Sequence, residues 1–535
     1  MKSIVSSRRR YKSVHTVKYE TDYCAGQDNV KIFGMDIHNP VFGISASLIL
    51  LFIILTLIFP EGAKDALIAA RSWSINNFDW FFMVGCNLFV VFCLFLLVSP
   101  MGKIRLGGAN ATPEFSTVSW FSMLFAAGMG IGLMFWSVAE PVAYYTDWYG
   151  TPLNVAANTE EAKQMALSAT IYHWGLHPWA IYAVVGLALA FFAHNKGLPL
   201  TIRSAFFPIL GERCWGPIGN FIDILAVLAT IFGLATSLGF GAQQAAGGLS
   251  HLFGVSSGIS TQIAFVVVVT GIAVISVARG LDGGVKILSN INMLIAAGLV
   301  ALLVVIGPTL SILHTFGDIT LGYVDNFVPL SNWIGREDSD WFHGWTVFYW
   351  AWWVSWSPFV GMFIARVSKG RTVREFVTAV LLIPTLVTMV WLSVMGGTAI
   401  EQATTGVGEL ANGISDVSLA MFQMFENLPF STLLSVVGIL LVLVFFVTSS
   451  DSGSLVIDSI TAGGKEDVPV GQRVFWAIVE GFIAIALLLG GGSEALTALQ
   501  AGAITTGLPF TLVLVLMCWS LYKGLKTEIH LYRKA

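Results

Sequence analysis

Long apolar runs without Lys or Arg recur along the whole 535-residue chain. A hydrocarbon core about 30 Å thick takes about 20 apolar residues to cross as a helix, so each run of that length is a candidate membrane span. We predict twelve transmembrane helices. They lie near residues 41–59, 80–98, 118–143, 168–193, 217–243, 259–278, 289–313, 342–365, 376–398, 431–449, 474–490 and 500–522.

Charged residues are scarce and unevenly placed. They make up 11% of the chain, whereas an ordinary soluble domain has roughly 25%, and this deficit excludes a water-soluble enzyme. With the N-terminus inside, 24 of the 28 Lys and Arg residues fall on the inner side. Because Lys and Arg concentrate on the cytoplasmic side, we expect a multi-pass protein of the plasma (inner) membrane with cytoplasmic N- and C-termini.

The sequence between the runs carries few signals. The first 36 residues are polar and basic, without the apolar segment and cleavage site of a signal peptide. Five cysteines, an odd number, predict neither a disulfide framework nor a paired metal motif. No phosphate-binding loop, zinc-protease motif or hydrolase elbow is present, so ATP hydrolysis and common hydrolase chemistry lack support.

Two of the runs contain helix-weakening residues. The third holds Gly128, Gly130 and Gly132, and the eighth holds Pro358 and Gly361. We predict that both helices are interrupted and line a cavity, where their freed carbonyls find partners. The two runs are five helices apart, so spans three to seven and eight to twelve would enter the membrane from opposite sides, as inverted repeats do. The alternative is that these small residues only allow close helix packing.

Aromatic residues cluster in the eighth and fourth runs. Trp352, Trp353 and Trp356 share helical faces by their spacing, and Trp179 and Tyr182 are one turn apart. An aromatic belt at the membrane interface explains the first turns of the eighth run but not Trp356, which is near its middle. Because aromatic faces typically hold quaternary ammonium groups, the cluster predicts a methylated ammonium substrate.

His173 and His177 have the H-x-x-x-H spacing of two metal ligands on one helix face. The chain has only nine histidines, and the other seven form no similar pair. An iron site would need further ligands. Packing or hydrogen bonding within the helix bundle is therefore the favoured interpretation.

Residues 350–366, W-A-W-W-V-S-W-S-P-F-V-G-M-F-I-A-R, closely resemble the signature of the betaine/choline/carnitine transporter family. The segments 128–132, Glu140-Pro141 and 173–182 are similar to other motifs of that family, and the resemblance covers roughly residues 37–523. It implies an all-α membrane protein of the leucine-transporter type, with a five-plus-five inverted repeat after two extra helices, assembled as a homotrimer. The domains would be a cytoplasmic tail (1–36), two additional helices (37–98), a first repeat (118–313), an extracytoplasmic connecting segment (314–341), a second repeat (342–523) and a cytoplasmic tail (524–535).

The resemblance also implies where the substrate binds. Phe363, two turns beyond Trp356, would lie on the cytoplasmic exit path. Gly132 stands where choline-selective relatives carry an aspartate, which favours a zwitterion whose own carboxylate replaces that charge. The trimethylammonium group would lie among Trp174, Trp179, Tyr182, Trp352, Trp353 and Trp356.

Sodium-coupled members of the family bind an ion between the third and tenth spans. Hydroxyl oxygens near the end of the tenth run suit a hard cation, although hydroxyls in helices also bond to their own backbone. A second sodium site would use Thr230, but Leu234 stands where such relatives have a second threonine, which argues against it. The first sodium site would consist of Ala126, Met129, Phe445, Thr448 and Ser449.

The resulting hypothesis is a secondary active transporter, important for osmoprotection, that imports glycine betaine or a carnitine-like zwitterion by sodium-coupled alternating access. The alternatives are a sodium-independent exchanger of carnitine and γ-butyrobetaine-type compounds, choline uptake, a passive channel and, least favoured, a membrane enzyme. We expect a quaternary-ammonium small molecule, sodium and membrane lipid as partners, with no nucleic acid and no cofactor beyond the coupling ion.

Overall fold

The computed structural model describes residues 18–128, 130–279 and 286–534, and these are mostly helical, as predicted. The predicted N-terminal tail is therefore described only from residue 18 onwards. The helices of the first half are α1 (Val41–Ile58), α2 (Pro60–Val98), α3 (Thr117–Gly128), α4 (Ile131–Thr146), α5 (Glu160–Trp174), α6 (Leu176–Ala190), α7 (Phe207–Leu210), α8 (Pro217–Phe253), α9 (Ile259–Arg279) and α10 (Lys286–Ile306).

The second half continues the helical pattern and adds shorter turns. Its helices are α11 (Thr309–Ser331), α12 (Ser339–Trp341), α13 (Phe348–Val367), α14 (Val373–Thr405), α15 (Ala420–Glu426), α16 (Ser431–Thr461), α17 (Val470–Gly491) and α18 (Ala495–Lys534). A π-helical turn at Phe191–Asn195 follows α6, and another at Phe342–Val347 precedes α13. Short 3₁₀ helices lie at Pro100–Lys103, Pro152–Asn154, Arg203–Phe206, Gly211–Trp215, Glu409–Asn412, Val417–Leu419 and Gly492–Glu494.

A small hairpin precedes the first long helix. Strands β1 (Asn29–Ile32) and β2 (Met35–His38) pair antiparallel. Phe33 and Gly34 form the two-residue turn with φ of 49° and 76°. Positive φ at both positions matches the twist of the strands.

Nine helical stretches in the described part of the chain are long and apolar enough to cross a membrane. One of them, Val470–Ile529, contains two of the predicted runs. The runs 118–143 and 342–365 do not appear among the nine, because α3 and α4 are separate short helices and α13 is rich in weakly apolar Trp and Tyr. These helices have the length and composition of membrane spans, and the number twelve stays a prediction.

The predicted interruption of the third run is confirmed, but that of the eighth is wrong. Gly130 is extended between α3 and α4, whereas α13 continues through Pro358. Proline removes the donor that would bond the carbonyl four residues earlier. Here the Ser357 Oγ donates to the Val354 carbonyl at 2.7 Å, which replaces that bond and lets the helix continue.

A break that the sequence did not predict divides the fourth run. Gly175 separates α5 from α6, and the Leu176 N–H donates to the Tyr323 hydroxyl of α11 at 2.8 Å. A Cβ at Gly175 would lie 2.7 Å from that hydroxyl oxygen, so the contact requires glycine. Helix α11 also occupies much of the predicted connecting segment 314–341.

Helix α13 lies in the interior and packs against α6, α8 and α18. Every residue from 348 to 358 is buried. By contrast, only 22% of the residues in the apolar stretch of α10 are buried within the protein. Broad exposed apolar surfaces of this kind face lipid in a membrane protein. The aromatic cluster therefore belongs to the core rather than to the lipid-facing surface.

Candidate functional site

A cavity of about 30 Å³ lies between α4, α6 and α13, close to the end of α5. All six aromatic residues predicted to hold the substrate line it. The lining consists of Gly130, Gly132, Leu133, Trp174, Pro178, Trp179, Tyr182, Trp352, Trp353, Trp356 and Thr388.

The tryptophan rings around the cavity support one another. Trp352 and Trp353 are stacked with ring centroids 4.8 Å apart and an interplanar angle of 15°. Trp174 meets Trp353 edge to face at 4.8 Å, and Trp356 meets Trp352 edge to face at 6.5 Å. Offset and edge-to-face pairs are the favoured arrangements of aromatic rings. The cage, as we name these six aromatic residues, is therefore a rigid set of ring surfaces.

Helix α8 accepts the indole N–H groups of two cage residues. Trp356 Nε1 donates to the Gly233 carbonyl at 3.0 Å, and Trp352 Nε1 donates to Ser237 Oγ at 3.2 Å. A Cβ at Gly233 would lie 3.1 Å from the Trp356 ring and 2.9 Å from Ser355. The missing side chain thus allows the indoles to approach the α8 backbone.

Two further indole donors of the cage also bond to protein. Trp353 Nε1 donates to the His173 carbonyl at 2.9 Å, and Trp174 Nε1 donates to Glu140 Oε2 at 2.7 Å. With these N–H groups bonded to the protein, the four tryptophans offer a ligand their ring carbons. Such surfaces attract cations and need no hydrogen-bond donor on the ligand.

The two glycines of the cavity wall differ in how tightly they are packed. A Cβ at Gly132 would lie 2.6 Å from the Trp352 ring and 2.9 Å from the Trp174 ring. A Cβ at Gly130 would lie 3.8 Å from Trp356, which is an ordinary contact distance. Gly132 is therefore required for the rings to close, and an aspartate there would displace two cage residues.

A buried carboxylate behind the cage was not predicted as a site residue. Glu140 is fully buried on α4. Its Oε1 accepts from the Tyr144 hydroxyl at 2.8 Å and lies 2.9 Å from His173 Nδ1. Its Oε2 accepts from the Tyr349 hydroxyl at 2.6 Å as well as from Trp174. An ionisable residue within an apolar run marks a functional site by default, and that signal alone could have identified Glu140.

His173 and His177 bond in different directions. His173 contacts Glu140 and, through Nε2, the Thr346 hydroxyl at 2.9 Å. His177 Nε2 lies 2.9 Å from Asn87 Oδ1 of α2. Among the described residues, no group of three or more His, Cys, Asp or Glu side chains is arranged to hold a metal. Hydrogen bonding within the bundle, the favoured prediction, is what both imidazoles do.

Phe363 lies outside the cavity lining. It is half-buried on α13, between Trp356 and Arg366. Arg366 lines a second, charged cavity of about 710 Å³, together with His194 and Lys369. Phe363 is thus placed between the cage and this larger cavity.

The predicted sodium ligands are distributed over two regions. Phe445, Thr448 and Ser449 are buried on one face of α16, and Ala126 is half-buried on α3. Met129 lies outside the described residues. The Thr448 hydroxyl donates to the carbonyls of Val444 and Phe445, at 2.9 and 3.2 Å, as the alternative interpretation expected.

The proposed second ion residue has a similar arrangement. The Thr230 hydroxyl donates to the Ala226 carbonyl at 2.6 Å. Leu234, one turn later, is fully buried.

Three residues that line the aromatic cavity, Leu133, Pro178 and Thr388, were not predicted, because no composition or spacing signal distinguishes them from other span residues.

Comparisons with known proteins agree with the sequence motifs. The model of the betaine/carnitine/choline family transporters matches residues 40–530. Glycine betaine transporter 1 of Vibrio parahaemolyticus is 64% identical over 510 residues, which cover 95% of this chain and 97% of that protein. A glycine betaine/proline/choline/ectoine transporter of the same species is 62% identical, covering 96% and 92% of the two chains. A glycine betaine/proline/choline transporter, also from that species, is 53% identical, covering 96% of each. The chain therefore belongs to the betaine/carnitine/choline family of transporters.

Proposed function

We propose that this transporter imports glycine betaine by sodium-coupled alternating access. The observation that carries the proposal is the aromatic cavity. Six aromatic side chains surround one space, and none of the described residues that line it is charged. A trimethylammonium group cannot donate N–H hydrogen bonds, so neutral ring faces are its natural partners, each contributing about 0.5–2 kcal/mol.

The choice of substrate within this class rests on Gly132 and on the relatives. The Gly132 position leaves no room for a fixed carboxylate at the cavity wall, which suits a zwitterion that carries its own. All three relatives named above have glycine betaine in their names, which favours glycine betaine over a carnitine-like compound. Choline is the second candidate, because two of those names include it.

The proposed architecture has twelve membrane crossings with both termini cytoplasmic in the inner membrane. Two extra helices would precede a five-plus-five inverted repeat with the domain boundaries given above, in a lipid-embedded homotrimer. Because α13 is continuous, the proposed repeat rests on the resemblance to the family and not on interruptions at matching helices. Alternating access would open the cage to one side of the membrane at a time, with Phe363 on the path to the cavity at Arg366.

Sodium coupling is proposed through a single ion. Its ligands would be the backbone of Ala126 and Met129 beside the α3–α4 break, the Phe445 carbonyl and the hydroxyl oxygens of Thr448 and Ser449. A hydroxyl that donates its hydrogen to the helix keeps oxygen lone pairs for a cation. Oxygen ligands of this kind are those that hard cations prefer.

Labelled glycine betaine in proteoliposomes tests both parts of the proposal. We expect accumulation above the outside concentration when sodium is imposed outside, and no accumulation when potassium replaces sodium on both sides. Uptake that is independent of sodium and requires preloaded carnitine or γ-butyrobetaine would instead establish the exchanger. Failure to transport glycine betaine with either driving force would overturn the proposed substrate.

A further inference from the structure

We propose that the Glu140 carboxylate, one aromatic ring behind the cavity, is the negative charge with which the cage attracts a substrate cation. The proposal deepens the function above and rests on the cage being the substrate site. It makes Glu140 a positioning and specificity-determining residue that acts through Trp174, because Trp174 both donates to the carboxylate and lines the cavity.

The hydrogen bonds around Glu140 fit the ionised form. The two oxygens of a carboxylate offer about four lone-pair positions. Four donors occupy them here at 2.6–2.9 Å: the Tyr144 and Tyr349 hydroxyls, Trp174 Nε1 and His173 Nδ1. The indole can only donate, and short bonds of this kind are typical of a charged acceptor.

No positive charge in the described part of the chain forms an ion pair with Glu140, apart from any charge on His173. A neutral His173 imidazole can satisfy both ring nitrogens, in the tautomer whose Nδ1–H donates to Glu140 and whose Nε2 accepts from the Thr346 hydroxyl. Arg336 stacks on Trp341, which packs on His173, but its guanidinium pairs with Asp338 at 2.7 Å. The cluster therefore carries one net negative charge.

This charge acts on the cavity in two ways. Burial reduces solvent screening, so the carboxylate attracts a cation on the far face of Trp174 more strongly than a surface carboxylate would. Accepting the indole N–H also polarises the ring, which makes its face more attractive to a cation. A protein without a charged cavity wall thus supplies its counter-charge from one layer further back.

Glu140→Gln removes the charge while preserving the geometry. The amide oxygen can take the place of Oε2 and accept from Trp174 and Tyr349. The NH₂ group then faces Tyr144, whose hydroxyl can accept, and His173 Nδ1, which accepts once the imidazole proton moves to Nε2 and donates to Thr346. The two hydrogen bonds that orient the cage side of the cluster are kept.

The experiment compares a zwitterion with net cations. Binding of glycine betaine to the purified transporter is measured by tryptophan fluorescence, and choline and tetramethylammonium are measured as competitors. All three share the methylated ammonium group, but only glycine betaine has a carboxylate that Glu140 repels. We expect Glu140→Gln to weaken the two cations about tenfold and glycine betaine no more than about threefold.

Matched variants separate charge from structure. Tyr349→Phe removes one donor but no charge, so it should weaken all three ligands by a similar factor. Glu480→Gln replaces another fully buried glutamate with its amide. Glu480, on α17, accepts from the Ser450 hydroxyl at 2.9 Å and does not line the cavity, so this variant should leave the ratio of cation to zwitterion affinities unchanged. If Glu140→Gln is not recovered as folded protein, Glu140→Asp keeps the charge and should keep the wild-type ratio.

Several outcomes would overturn the inference. Equal weakening of cations and zwitterion by Glu140→Gln would show that the carboxylate only holds the rings. A changed ratio in Glu140→Asp, or wild-type protein that binds glycine betaine but neither cation, would also contradict it. Wild-type protein that binds none of the three would instead contradict the proposed function, so the two failures are distinguishable.

Discussion

The cage and the proposed sodium region direct their polar groups differently. In the cage, four tryptophans donate their N–H groups to the Gly233 and His173 carbonyls, to Ser237 and to Glu140, and turn ring faces to the cavity. In the sodium region, Thr448 also donates to backbone, but the atom left for a ligand is a polar oxygen. In the proposed function, one region would offer ring faces to an organic cation and the other would offer oxygen to an ion.

The two regions also differ in what builds them. The cage consists of side chains from α5, α6 and α13, which can be recognised in a sequence as aromatic residues at helical spacing. The proposed sodium region would depend on carbonyls beside the α3–α4 break and on the Phe445 carbonyl, and a backbone ligand places little demand on residue type. Substitutions should therefore affect the cage more strongly than the sodium region.

The largest effect is expected from Trp356→Leu. The substitution removes a ring face from the cavity and the hydrogen bond to Gly233. Loss of about 2 kcal/mol of cation–π attraction corresponds to roughly thirtyfold weaker glycine betaine binding. Fluorescence titration and uptake at several substrate concentrations measure this change.

Trp391→Leu is the matched control for that experiment. Trp391, on α14, is also buried but does not line the cavity. We expect near wild-type affinity for the folded Trp391 variant. Unchanged affinity in Trp356→Leu, or equal loss in both variants, would contradict the assignment of the cage.

The second prediction uses the two cavity glycines as a pair. Gly132→Ala places a Cβ within 2.6–2.9 Å of two tryptophan rings, whereas the Cβ of Gly130→Ala would be 3.8 Å from Trp356. Overpacking of this kind typically costs about 1–3 kcal/mol, so Gly132→Ala should weaken glycine betaine binding about tenfold. The Gly130 variant should remain within about twofold of wild type, and the reverse order would show that the rings move apart freely.

The aromatic site could be predicted from the sequence because its members are distinctive. Trp352, Trp353 and Trp356 follow one another at helical spacing, and all line the cavity. Thr388 could not be found, since a threonine in a long helix usually bonds back to its own backbone. Glu140 was visible as a carboxylate within an apolar run, but its role depends on four donors, one from its own helix and three from α5 and α13, which only the fold brings together.

The prediction of a helix interruption is confirmed at Gly130 and wrong at Pro358, in both cases for local reasons. Gly130 has no side chain to stabilise the helix, and the chain is extended there. Pro358 was expected to break α13, but the neighbouring Ser357 hydroxyl bonds the carbonyl that proline leaves free. The Gly175 break depends on Tyr323, nearly 150 residues later in the chain, and no local pattern could reveal that partner.

The third prediction concerns the sodium region directly. Thr448→Val keeps the shape of the side chain but removes one neutral oxygen from the proposed ion shell. We expect the sodium concentration for half-maximal uptake to rise roughly fivefold to tenfold, because hard cations depend on their oxygen ligands. Glycine betaine affinity at saturating sodium should stay close to wild type.

Thr385→Val controls for the loss of a buried hydroxyl. Thr385 is buried on α14 and donates to the Leu381 carbonyl at 2.6 Å, so it resembles Thr448 in its local bonding. Its sodium dependence should be that of wild type. A Thr448 variant with unaltered sodium dependence would show that its hydroxyl serves only its own helix.

The smallest effect is expected from Thr230→Val. The Thr230 hydroxyl donates to the Ala226 carbonyl, and one turn later Leu234 packs so tightly against α16 that a Cβ at Gly453 would lie 2.2 Å from it. An apolar, closely packed neighbour leaves no second oxygen ligand at that position. The sodium Hill coefficient and half-maximal concentration should therefore change by less than about twofold, since a hard cation needs several oxygen ligands. A Hill coefficient that falls in Thr230→Val would instead place a second sodium on α8, and the sodium region would then extend beyond the α3–α4 break and α16.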